Sequence, residues 1–120
     1  LGCEATVLID GLLAAAEGFD YRMPELHSGD PRDEIGRPIP YPAACRPQAW
    51  SAASAILVMA AVFGLQARTD GLYVDPGPKA LGATVSGIRF RGEQITISVA
   101  PDGTITSNSP TVKPLRAPSV

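Results

Sequence analysis

Pro47-Gln48-Ala49-Trp50-Ser51-Ala52-Ala53-Ser54-Ala55-Ile56-Leu57-Val58-Met59-Ala60-Ala61-Val62-Phe63-Gly64 is the stretch on which the architecture turns. Pro47 sits where a helix would start, because a first-turn proline forfeits no hydrogen bond, and Gly64 is a natural stop. The spacing predicts a helix over Gln48 to Phe63. After Trp50 only Ser51 and Ser54 interrupt an apolar surface on every side, so this helix needs neighbours all round it. One further helix of similar length cannot supply that cover, and an isolated chain would keep a large apolar patch in water.

Upstream, Val7, Leu8, Leu12, Leu13 and Ala16 recur at helical spacing between Cys3 and Phe19, with Glu4, Asp10 and Glu17 off that stripe. This is an amphipathic helix ending near Gly18. The segment from Asp20 to Pro42 holds Pro24, Pro31, Pro38, Pro40 and Pro42 together with Gly29 and Gly36, and reads as a long loop. Loops of this length in compact domains are usually functional or disordered, and its Tyr21, His27, Tyr41 and several carboxylates favour function.

Downstream, the period changes. Gly71 to Val74, Thr84 to Phe90, Gln94 to Val99 and Thr104 to Thr106 read as short strands, with Ile88 and Phe90, then Ile95, Ile97 and Val99, at the two-residue spacing of a half-buried sheet. Pro101-Asp102-Gly103 has the chemistry of a hairpin turn. From Ser109 to Val120 the chain is Pro-rich without periodicity, which predicts a frayed, disordered tail.

The 120 residues suffice for one modest core. A net charge of -2 with scattered basic residues gives no footprint for nucleic acid. The longest apolar run, Ala55 to Phe63, is about half of the ~20 residues that cross a bilayer, so no membrane partner is expected. No leader-like pattern opens the chain, which makes cytoplasmic the expected location. Its start at Leu1-Gly2-Cys3 suggests a piece cut from something longer. Cys3 and Cys45 lack a disulfide framework or metal spacing, and both are expected to be buried free thiols with no cofactor or metal bound.

The sharpest local pattern is Pro24-Glu25-Leu26-His27-Ser28-Gly29-Asp30, then Arg32-Asp33-Glu34, then Pro40-Tyr41-Pro42-Ala43-Ala44-Cys45-Arg46-Pro47-Gln48-Ala49-Trp50-Ser51-Ala52. In this it resembles the amylo-alpha-1,6-glucosidase and glycogen-debranching-like glycoside hydrolases, well over Glu4 to Gly64 and more loosely beyond. The resemblance implies the end of an (α/α)6 barrel, with Glu25 as general base in the last long loop and Trp50 near the floor of the sugar pocket. His27 departs from the pattern, standing where many relatives carry an aromatic residue.

The residues make their own case. An inverting glycosidase needs an acid and a base carboxylate about 6.5 to 9.5 Å apart on opposite faces of the sugar, a separation easily met from different loops. Glu25 follows the restricted backbone of Pro24 and precedes Gly29, which permits a sharp turn. Glu34 ranks behind it. Asp30, Asp33 and Glu34 with Arg32 and Arg37 otherwise read as a salt-bridged or hydrated loop face. Tyr41 and Trp50 could stack on a pyranose face, although Trp50 could equally be core. His27 could hold a hydroxyl or sit on the surface, and Gln48 could cap its helix or hold a hydroxyl. No phosphate loop or Ser-His-Asp arrangement is present.

The expected architecture is therefore an α+β piece. Residues 1–66 would form the last helices of a helical barrel, 67–108 a small antiparallel β appendix and 109–120 a tail. The expected partners are an α-glucan or oligosaccharide and an upstream barrel domain of the same protein that supplies the general acid. A non-catalytic carbohydrate-binding or assembly module is the alternative.

Overall fold

A computed structural model describes residues 3–115, and these form an α+β chain in two compact units, 1–58 and 59–120. The element order is α1 (Cys3–Gly18), α2 (Arg32–Ile35), α3 (Ala49–Phe63), β1 (Leu65–Arg68), β2 (Gly71–Val74), β3 (Thr84–Phe90), β4 (Glu93–Val99), β5 (Ile105–Ser107) and β6 (Val112–Pro114). A single 3-10 turn, Pro78–Ala80, joins β2 to β3.

In the first unit α1 ends where its sequence predicts, but the cap is not a glycine. Asp20 takes the left-handed conformation at φ 52°, its amide bonds to the Glu17 carbonyl at 3.3 Å, and the Tyr21 amide reaches back to Ala16 at 2.8 Å. This pairing satisfies carbonyls that the last helical turn leaves open. The core beneath it is small: Ala15, Phe19 and Met23, with Leu12 and Ala16 packed against them. The expected stripe is thus only half right. Leu12 and Ala16 are partly covered, whereas Val7, Leu8 and Leu13 lie exposed.

The same inversion marks α3. Ser51 is buried, while Trp50, Ile56 and Leu57 are 62 %, 65 % and 70 % exposed. Nothing among the described residues meets the burial that this helix demands. The last turn is different, because Phe63 belongs to the core of the second unit. That explains why the units divide at 58 and 59, inside α3, rather than at the expected boundary near residue 66.

The second unit is built on two three-stranded sheets, ordered β1-β2-β6 and β3-β4-β5. Ile95, Ile97 and Val99 alternate inward along β4 at 0 %, 0 % and 2 % exposure, as their spacing predicts. With Leu72, Val74, Ala80 and Phe63 they make one core. The turn after β4 also follows its sequence: Gly103 has φ 86°, and the Thr104 amide bonds to Asp102 Oδ1 at 2.9 Å. A bulge between Val85 and Ile88, with Gly87 at φ 78°, lets β3 keep pairing with β4.

Two expectations fail here. Val112–Pro114, placed in a frayed tail, is β6, and it runs parallel to β2 with Leu72 opposite Val112. The appendix is therefore not purely antiparallel. Ser109 is buried, donates to Glu93 Oε2 and shares a 2.7 Å hydrogen bond with Thr111, which fixes the approach to β6. Residues 116–120 of that expected tail lie outside the described residues. The strand β1 was not expected at all. No helix among the described residues is long and apolar enough to cross a membrane.

Candidate functional site

The loop between α1 and α3 is ordered by its own backbone. Its outgoing limb, Met23 to Ser28, runs beside its returning limb, Ile39 to Gln48. The Glu25 amide donates to the Cys45 carbonyl at 2.9 Å, the Ser28 amide to the Ile39 carbonyl at 2.9 Å, and the Gln48 amide to the Met23 carbonyl at 3.3 Å. His27 and Pro40 form an isolated antiparallel bridge between the same limbs. The Ile39 amide adds a bond to Ser28 Oγ at 3.1 Å. A segment with this many prolines cannot form a continuous ladder, so it pairs wherever an amide is free.

Arg46 closes the base of the loop. Its Nη2 donates to the Phe19 carbonyl at 2.9 Å, and to Asp20 Oδ2 at 2.7 Å. Its guanidinium also lies 5.6 Å from the Phe19 ring centre. A cation at this end of α1 meets the open carbonyls and the negative end of the helix dipole. The peptide bond from Arg46 to Pro47 is cis.

Glu25 is half-buried between these limbs, and the amide of Cys45 approaches its Oε2 at 3.5 Å. His27 is held more firmly. Its ring stacks on Phe19 with centroids 6.2 Å apart, and Nδ1 bonds to the Ser28 carbonyl at 2.9 Å. A carbonyl can only accept, so Nδ1 carries a proton and Nε2 is left as the free nitrogen in the neutral ring. Gln48 turns its side chain inward to the helix, with Oε1 accepting from the Ala49 amide at 3.2 Å, which makes it a cap. Trp50 is exposed on the first turn of α3 and is not part of either core cluster of the described residues, and Tyr41 is also exposed.

The five expected site residues, Glu25, His27, Tyr41, Gln48 and Trp50, do not share the groove beside α1. An open groove of about 390 Å³ lies between α1 and the loop, and of the five only His27 lines it. Glu34 lies exposed in α2, and the carboxylates of that loop face make no salt bridge to Arg32 or Arg37 among the described residues. Cys45 is free and exposed, which corrects the expectation of a buried thiol; the side chain of Cys3 lies outside the description. Among the described residues no group of three or more His, Cys, Asp or Glu could hold a metal.

Sequence reasoning missed Arg46, although its place between Cys45 and a proline in the motif marked it as a residue at the loop's closing point. The groove was also missed, since it depends on how the loop folds back over α1. Comparison with protein-family models, with curated proteins and with solved structures finds no match to this chain.

Proposed function

We propose that the chain is the C-terminal part of a glycoside hydrolase acting on α-glucosidic linkages, of the glycogen-debranching type, in which Glu25 is the general base. The observation that carries this reading is the pairing of Glu25 with Cys45. The two halves of the Glu-Leu to Tyr-Pro-Ala-Ala-Cys-x-Pro-Gln-Ala-Trp pattern lie twenty residues apart in sequence, and their backbones are hydrogen-bonded to each other. A general base must be held on a stiff support, and a half-buried carboxylate on a cross-tied loop meets that need. The exposed Trp50, Ile56 and Leu57 fit a helix that finishes its packing against other barrel helices of the same protein. The general acid is then supplied from upstream.

The test is hydrolysis of a branched α-glucan by the intact protein, with Glu25→Gln and Glu34→Gln compared. Glu25→Gln should lower kcat by about a hundredfold or more, because the base contributes on that order, while Glu34→Gln stays near wild type. The 120-residue chain alone should release no glucose. Near-wild-type turnover in Glu25→Gln would sink the assignment.

A second reading, a module that holds a glycan without cutting it, is favoured by the exposed rings of Tyr41 and Trp50, since flat apolar faces in water suit pyranose stacking. Glucan binding by the isolated chain, lost in Trp50→Ala, together with no hydrolysis by the intact protein, would select it.

A further inference from the structure

The groove beside α1 has features that the proposed hydrolytic role does not use. Its α1 side is aliphatic, lined by Leu8, Leu12 and Ala15 with Gly11 among them. Its loop side is lined by His27, Ser28, Arg32 and Arg37, with the single lining carboxylate of Asp30. Neither guanidinium pairs with a carboxylate among the described residues, so two unpaired cations and one anion line the same partly apolar groove. At about 390 Å³ the space falls within the ordinary range for small-molecule sites.

Gly11 adds a separate observation. An interior glycine weakens a helix, and here a Cβ would meet nothing within 4 Å, so the helix packing around it does not require the missing side chain. What the glycine does provide is depth, since any larger residue would project into the groove. The wall opposite is fixed by the Ser28 and Ile39 hydrogen bonds and by the stacking of His27 on buried Phe19.

We propose that this groove binds an organic carboxylate with an apolar body, its carboxylate on Arg32 and Arg37 and its hydrocarbon part over Gly11. Guanidinium groups suit a carboxylate through paired N–H donors, and the aliphatic α1 side rewards burial of the rest of the ligand. The site is independent of the Glu25 assignment.

The probe is 4-phenylbutyrate, titrated into the full-length protein by calorimetry and by chemical-shift mapping, with 4-phenylbutan-1-ol and inorganic phosphate as comparisons. Saturable binding is expected, with the alcohol and phosphate each about tenfold weaker or worse, because each lacks one half of the recognition. Arg37→Gln should weaken phenylbutyrate by about tenfold and Asp30→Asn should tighten it by about threefold. Gly11→Phe should abolish binding while leaving the circular dichroism unchanged; Arg37→Gln, at an exposed position, serves if that variant does not fold. Absence of saturable phenylbutyrate binding would overturn the proposal, as would equal affinity for the alcohol or indifference to Arg37→Gln.

Discussion

The amide of Glu25 donates to the carbonyl of Cys45 at 2.9 Å, while the Cys45 amide points back to the Glu25 carboxylate at 3.5 Å. The residue proposed as base is therefore tied to the returning limb of its loop through main chain and side chain together. Cys45 contributes backbone only, and its thiol stays in water. A Cys3→Ser protein should accordingly react at Cys45 with a thiol reagent under native conditions, at a rate near that of the unfolded chain. Protection of that thiol, followed by mass spectrometry, would contradict the exposure of the returning limb.

Arg46 should matter more than the ion pair it makes. Asp20 is almost fully exposed, so Asp20→Asn, which removes the charge and still suits the left-handed backbone, should cost about 0.5 kcal/mol or less. Arg46→Ala also frees the Phe19 carbonyl and loses the ring contact, and should cost about 1–3 kcal/mol. Urea unfolding of the two variants and the double variant separates these contributions.

Asp70 gives the second unit a pH dependence with a defined sign. Hydrogen bonds from Lys113 and then Tyr73 lower its pKa from 3.8 to about 2. The folded value is below the unfolded one, so the stabilisation is present above 3.8 and is lost as pH falls through the interval down to about 2. Lys113 is raised in turn, chiefly by its bond to Asp70, so its contribution holds at lower pH and fades as that ammonium loses its proton. In Lys113→Ala the Asp70 carboxyl should titrate nearer its ordinary value. Carbon-detected NMR of that carboxyl checks this.

Two glycines should respond in opposite directions. A Cβ at Gly64 would lie 1.9 Å from the Asp75 carbonyl oxygen, at a backbone φ of 59°, so Gly64→Ala should cost about 3 kcal/mol or more. At Gly11 a Cβ meets open space within a helix, and Gly11→Ala should stabilise by about 0.5–1 kcal/mol. Thermal melts of the pair decide the matter.

A chain ending at Asn108 should be clearly less stable than one ending at Leu115. The shorter chain loses β6, the hydroxyl of Ser109 on Glu93 and the Lys113 ion pair, for about 3 kcal/mol or more in total. Equal denaturation midpoints for the two would show that β6 adds nothing.

What was legible in the sequence was legible for local reasons. Gly64 stops α3, Asp102-Gly103 turns β4 into β5, and Ile95, Ile97 and Val99 face inward, because each signal acts within a few residues. The strand β1 alternates apolar and polar in Leu65-Gln66-Ala67-Arg68, but four residues directly after a helix stop are too few to stand out, and β6 ends in a proline; both pair with β2. Apolar spacing could say that α1 and α3 are greasy but not which side would be covered, and the described residues leave Leu8, Leu13 and Leu57 in water. Glu25, His27 and Tyr41 stand out in the sequence as residue types that functional loops use. That Gln48 is a cap, and that only His27 reaches the groove, depends on how the loop folds back, which no short window encodes.

The parallel contact of β2 with β6 also sets an order of events. Leu72 meets Val112 across a long intervening stretch, whereas β1 meets β2 through the short Thr69-Asp70 connection. Closing the longer interval loses more chain entropy, and it becomes favourable only after β3, β4 and β5 have shortened the effective path between its ends. The sheet that carries β6 should then be completed late in refolding, with one edge of β2 open to other strands until that moment. Amide exchange during refolding would show protection reaching Ile95 and Ile97 before Leu72.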